Sequence, residues 1–346
     1  MNMNFKTIFK FIAGSNLYGT STKDSDIDTR GVFIPPENYF YGFLHRIEQT
    51  QDKKRDIEYH EIRKFLILAL DNNPNIIEYL FVPKDKWIIA TDEWKKIIDN
   101  TQYFVSKKSR YTFSGYAYEQ LRRIKRHRGW LLNPPKKKPK RVDYGLPEHR
   151  STLSKEQIGA FNALLAIYLE EIRSFHKLKE QILEMEETHN FKTMCKQIKK
   201  PDLSAIKAII PISDNFLEAL EKEKAYMNSK REWDQYQEWK KNRNPKRAEL
   251  ERKFGYDCKH GSHLWRLMGE GRELLKTGHL TFPRPDKEDL LSIRNGGLKY
   301  EELLVRVGYF DKMFDRWYDE SPLPREPNRE KIDKLCIELV KKYLLK

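Results

Sequence analysis

Two aspartates stand two residues apart, Asp26 and Asp28, inside the stretch AGSNLYGTSTKDSDIDTRGVFIPP that begins at Ala13. On an extended strand such residues share one face, so both carboxylates would project together. Like charges that close repel, and a bound divalent cation is the usual remedy. Mg²⁺ takes a few carboxylates together with phosphate oxygens and water, so the pair suits a nucleoside triphosphate (NTP). Gly14 and Ser15 precede the pair in a turn where backbone N–H groups can approach a phosphate closely. Asp56, on a second acidic strand, would supply a third carboxylate, with Glu58 facing the same way in reserve. Three acids around two Mg²⁺ ions allow displacement at a phosphorus centre. The plainer reading of KDSD is a solvated turn. The Gly-Ser turn, the spacing and the later acidic strand weigh against it.

A second constellation lies near the far end of the chain. In YDCKHGSHLWRLMGE, Lys259, His263 and Arg266 fall at i, i+4 and i+7, one stripe of a helix that Asp257 can cap. Leu264, Leu267 and Met268 form a separate apolar face. The charged stripe is expected to add little to the core and to bind a triphosphate or an RNA end. A zinc reading of Cys258, His260 and His263 has the wrong spacing for known fingers and no fourth ligand nearby. A third feature is a basic belt from Lys107 to Arg141, with thirteen Lys or Arg against one acid, Glu119. It includes Arg122, Arg123, Lys125 and Arg126, then Lys136, Lys137, Lys138, Lys140 and Arg141 in NPPKKKPKR. Interleaved are Tyr111, Phe113, Tyr116, Tyr118 and Trp130. Cations on phosphates with aromatic faces for bases is the combination expected for single-stranded or end-presenting RNA. For the aromatics a core role is favoured over stacking, since Leu121 and Ile124 bury part of the same helix.

These residues need elements to hold them. TIFKFI (Thr7 to Ile12) and IDTRGVFI (Ile27 to Ile34) read as strands flanking the Gly-Ser turn. Ten residues between Ser15 and Asp26 leave room for one short helix. RDIEYHEI alternates as a strand and runs into a helix whose apolar face is Ile62, Phe65, Leu66, Ala69 and Leu70. Asn72 to Asn75 punctuate it before IIEYLF restarts a short buried helix. Beyond about Ser106 strand signals nearly vanish. Ser154 and Gln157 make a capping box for a long helix through Glu187, and another helix begins after Asp214 and passes Trp233, Tyr236 and Trp239. REKIDKLCIELVKKYLL is a further amphipathic helix. An α+β fold follows: a mixed sheet with helices over residues 1–105, then a helical part over 106–346 with a basic loop at 133–141.

The bulk numbers agree. The chain has 346 residues, 34% of them charged, and a net charge of +15, which favours a polyanionic partner. Three scattered cysteines suggest neither a disulfide framework nor a zinc ribbon and fit a reducing, cytoplasmic setting. The longest uncharged run, Ile158 to Leu169, is too short for a membrane helix, and Lys6 and Lys10 interrupt any signal-peptide pattern.

Gly14-Ser15 followed by Asp26-Ile27-Asp28 resembles the signature of the DNA polymerase β-like nucleotidyltransferases. DIEYHEIRKFLILALDNNPNIIEYLF (Asp56 to Phe81) is similar to the branch of that superfamily associated with RNA repair. FGYDCKHGSHLWRL and LLSIRNG resemble the helical region of its phage and bacterial members. The resemblance implies a polymerase-β-like palm with Asp26, Asp28 and Asp56 as catalytic metal ligands and Gly14-Ser15 on the triphosphate. It implies transfer of a nucleoside monophosphate from NTP to an acceptor, expected here to be an RNA 3′ end, tRNA-like. Two other readings stand beside it: transfer to a protein side chain, as in toxin-like relatives, and a non-catalytic RNA-binding module.

Overall fold

In the computed structural model the described residues are 5–23, 25–52, 56–149, 153–160, 162, 163, 166 and 214–344. Five strands form one mixed sheet: β1 (Lys6–Ile12), β2 (Thr29–Ile34), β3 (Gln49–Asp52), β4 (Ile57–Glu61) and β5 (Trp87–Ala90), in the order β3-β4-β2-β1-β5. The pair β2 and β4 is parallel, with Thr29 opposite Ile57 and Arg30 opposite Glu58, while the other neighbours are antiparallel. Parallel pairing brings the chain segments that enter β2 and β4 to the same end of the sheet. Those segments carry Asp28 and Asp56.

The fold is α+β, a mixed sheet with helices followed by a mostly helical region. Helix α1 (Gly14–Tyr18) fills the short-helix slot after β1, and α2 (Ile62–Leu70) follows β4 directly. All five apolar residues expected on the α2 face are buried, from Ile62 to Leu70. Asn73 caps α3 (Pro74–Ile77), its side chain accepting from the Asn75 N–H at 3.0 Å. Helix α4 (Asp92–Ile98) covers β1, where Trp94 stacks on Phe9 with ring centroids 3.9 Å apart. Neither β3 nor β5 is anticipated by strand patterning. Each is a four-residue edge strand, and QTQD carries no apolar alternation.

Packing divides the chain into two compact units. The first holds residues 1–134 and 244–346. Besides the sheet it contains α5 (Ser109–Leu132), and after the later segment begins come α7 (Pro245–Phe254), α8 (Cys258–Thr277), α9 (Lys287–Arg294), α10 (Tyr300–Glu320) and α11 (Arg329–Leu344). Asp257 caps α8 as expected, accepting from the His260 N–H at 3.1 Å. The second unit, residues 135–243, contains α6 (Asp214–Lys241) and a small apolar cluster around Leu153 and Leu220. There Ser154 and Gln157 form the expected reciprocal capping box, at 2.8 and 3.1 Å. The remainder of the helix expected through Glu187 lies outside the described residues beyond 166.

Candidate functional site

The acids lie at the mouths of strands rather than on them. The β1–β2 ladder ends with Ala13 N–H donating to the Asp28 carbonyl at 2.9 Å, and β2 starts only at Thr29. The expectation that Asp26 and Asp28 share a strand face is therefore corrected: both sit in the loop that enters β2. The Asn16 side-chain amide donates to the Asp26 carbonyl at 3.3 Å, tying that loop to α1. Asp56 likewise immediately precedes β4, with φ of 49°, a left-handed conformation that Asp tolerates better than most residues. Its carbonyl accepts from Thr29 N–H at 2.9 Å, so the backbone of Asp56 abuts that of Asp28.

Gly14 is required twice over. Its φ is +62°, and a Cβ there would lie 1.7 Å from Asp28 Oδ2. The Asp28 carboxylate is thus pressed against the Gly-Ser turn. Its pKa is raised, first by burial and then by the Asp56 charge, with Asp26 adding to it and Arg30 and Lys259 opposing. Carboxylates that hinder each other's ionisation attract a cation, and an all-oxygen donor set suits Mg²⁺. The trio is open, however. Among the described residues, the set of three metal-type ligands whose atoms all lie within 4.8 Å of one another is His127, Asp257 and His260, not the acids.

Glu58 has a cationic neighbour of its own. It faces Arg30 across the β2–β4 register, with Arg30 Nε 3.9 Å from Glu58 Oε2. Asp56 is the acid whose charge acts on Asp28, while Glu58 neutralises Arg30.

Helix α8 brings the cationic residues, but not as one stripe. Lys259 is exposed on its first turn, and its charge is felt at Asp28. Crowding by the surrounding protein, then the charges of Arg247 and Arg294, lower its pKa. His263 is open to solvent on one side, yet crowding by protein, then Arg266 and Lys259, push its pKa down to about 3. At neutral pH it is an uncharged imidazole, able to donate or accept a hydrogen bond. Arg266 is inside the protein, 6% exposed. Its guanidinium pairs with Glu78 and, at 3.0 and 2.9 Å, with both oxygens of Glu270, and lies 4.2 Å over the Tyr18 ring. Tyr18 itself donates to Glu78 at 2.8 Å. The expectation that Arg266 adds little to the core is corrected: it is the counter-charge of two buried acids, and it braces α1 against α8. Two acids embedded in apolar runs, Glu78 in IIEYLF and Glu270 in RLMGEGRELL, are the sequence signal that could have revealed this.

The His127, Asp257 and His260 group has its charge already matched. Asp257 is wholly buried, and Arg247 Nε donates to its Oδ1 at 3.1 Å while Nη2 bonds Oδ2. Although burial opposes it, hydrogen bonds from His127 and Arg247 and the charge of His260 hold the Asp257 carboxyl well below the usual range. A helix cap saturated by arginine is a structural hub.

On α5, Arg122, Arg123, Lys125 and Arg126 are all exposed, while Phe113, Leu121, Ile124 and Trp130 are buried. Tyr118 is half-buried, whereas Tyr111 and Tyr116 are exposed, so the aromatics split between core and surface. In the second unit Lys136, Lys137, Lys138 and Lys140 are exposed, and Lys137 pairs with Asp143 at 3.1 Å. Arg141 differs: its fork grips both oxygens of Glu223, at 2.9 and 2.6 Å, so the loop's last cation is already paired.

The N-terminal part of the chain is similar to known proteins. Residues 1–147 match RlaP, the RNA repair pathway DNA polymerase beta family. A relative in Enterobacteria phage T4, an uncharacterized 38.9 kDa protein in the nrdC-mobD intergenic region, is 31% identical over 127 residues, or 33% of this chain. The uncharacterized protein YcgL of Bacillus subtilis is 30% identical over 78 residues, or 22% of this chain. The chain spans 38% and 30% of the lengths of these two relatives. No solved structure matches it. Among the described residues no helix is long and apolar enough to cross a membrane.

Proposed function

We propose that the chain is a nucleotidyltransferase that moves a nucleoside monophosphate from NTP to an RNA 3′ hydroxyl, at a tRNA-like end, in RNA repair. The observation that carries this reading is the meeting of Asp28 and Asp56 at one end of the parallel β2–β4 pair, against the Gly14 turn and within reach of the Lys259 charge. Asp26, Asp28 and Asp56 would hold two Mg²⁺ ions, which supply charge neutralisation and Lewis acidity toward the phosphates. Gly14 and Ser15 present backbone to the triphosphate, and Lys259 faces it from α8. Asp56 accepts the proton as the RNA hydroxyl oxygen bonds to the α-phosphorus. The bond from that phosphorus to the bridging oxygen breaks, and pyrophosphate leaves.

Catalysis is assigned to residues 1–105 and RNA contact to 106–346, through the exposed cations of α5 and, separately, of the loop at 133–141. Among the described residues Cys258, buried, and Cys336, half-buried, are free thiols, which fits a reducing, cytoplasmic setting. The test is incubation with Mg²⁺, each labelled NTP in turn and total small RNA. Label in RNA is expected. Label in protein would move the acceptor to a side chain, and label in neither would leave an RNA-binding module.

A further inference from the structure

The segment LLSIRNG ends α9, and its arginine is used by nothing described so far. Arg294 is half-buried, and among the described residues no carboxylate pairs with it. Among the described residues its side chain makes one hydrogen bond, Nη1 donating to the Thr20 carbonyl at 3.3 Å. Thr20 lies directly after α1, so the guanidinium sits on the loop that runs from the Gly-Ser turn toward Asp26 and Asp28.

Helix packing holds it there. Ser262 Oγ donates to the Leu290 carbonyl at 2.9 Å, and at Gly261 an added Cβ would lie 3.3 Å from Ile293 Cγ2. The last turn of α9 therefore rests on the first turn of α8, which carries Lys259. Lysine and arginine here crowd each other, and the Arg294 charge is among those that lower the Lys259 pKa. Neighbouring cations held together on three converging segments, with no carboxylate taking up the Arg294 charge, are an anion site. Arg247 adds positive charge nearby but is committed to Asp257.

We infer that Arg294 binds the triphosphate of the incoming nucleotide, with Lys259 as its partner, across the site from the acidic trio. A guanidinium presents a planar fork that can take two phosphoryl oxygens at once, while the ammonium acts as a point charge. The Thr20 contact would register that fork against the turn that meets the same phosphates. This inference rests on the nucleotidyltransferase reading for its ligand, but the anion site can be measured without chemistry.

The probe is inorganic tripolyphosphate, which carries no base, titrated calorimetrically into the full chain. Loss of charged hydrogen bonds of this kind should weaken its binding about ten- to a hundredfold in Arg294→Gln. Arg294→Lys should recover part of the loss, since charge remains and the fork does not. The control is Arg316→Gln, an exposed arginine paired with Glu320 on its own helix at 2.6 Å, which should bind as wild type does. Wild-type affinity in Arg294→Gln, or an equal loss in Arg316→Gln, would overturn the assignment. Asp28→Asn, run in parallel for NTP transfer, separates the two ideas. Full transfer in that variant would sink the catalytic reading while a binding loss in Arg294→Gln would keep the anion site.

Discussion

Replacing Arg266 by alanine should destabilise the protein strongly. The change removes the guanidinium that Glu78 and Glu270 share and that covers Tyr18, and it leaves two carboxylates, 2% and 0% exposed, without their shared counter-charge. Breaking one side of a buried ion pair costs about 3–5 kcal/mol, because the orphaned charge stays desolvated. For a unit of this size each kcal/mol shifts Tm by roughly 2–4 °C, so a fall of about 6–20 °C is expected near neutral pH. Circular dichroism melts at several pH values supply the assay. A variant melting within about 2 °C of wild type at neutral pH would mean that Arg266 is not the counter-charge. The variant's turnover is informative only at temperatures where it is folded.

The same network gives wild type a pH signature. Burial pushes the Glu270 carboxyl up to about 8, above its unfolded value, so its contribution is intact at acid pH and is lost as pH rises through about 8. Glu270→Gln should flatten that decline in Tm, which runs between about pH 4.5 and 8, and an unchanged slope would remove Glu270 as its source. Asp28→Asn and Asp56→Asn should each cut transfer by about a thousandfold or more with unchanged melts, whereas Glu58→Gln should keep most activity because its partner is Arg30. Full transfer in either Asn variant, or a dead Glu58→Gln, would reassign the acids. Changing Lys136, Lys137, Lys138 and Lys140 to Ser should lower the slope of log affinity against log salt for single-stranded RNA by about 3. Equal slopes would make the loop a bystander. Arg141→Ser should instead lower the stability of its own unit, since the fork on Glu223 is lost.

Several features were legible because their causes are local. The α2 face repeats at helical spacing, Asp257 and Ser154 accept from N–H groups three residues ahead, and β1 announces itself in KTIFKFI. Each depends on residues within one turn or one pleat. The Gly-Ser/Asp-x-Asp motif was legible for a related reason, since a glycine able to touch a carboxylate leaves a compositional mark. Edge strand β3 was not: QTQD pairs because β4 offers it a ladder, and its own side chains carry no signal.

By itself, then, the sequence determined some of the helices, the turn at Gly14, the acids available for chemistry and the surplus of cations available for a polyanion. Only the tertiary structure decided which of them face one another. Lys259 and Arg266 lie seven residues apart on one helix, yet one faces the acids and the other is buried. The difference is made by Glu78, which comes from a segment 188 residues away in the chain. Likewise Asp28 meets Asp56 because β2 and β4 pair in parallel, and Arg294 reaches Thr20 across 274 residues because α9 rests on α8. Helical and strand periodicity repeat over 3.6 and 2 residues. No such period carries information about charges brought together from distant segments, because their positions are set by how apolar faces pack.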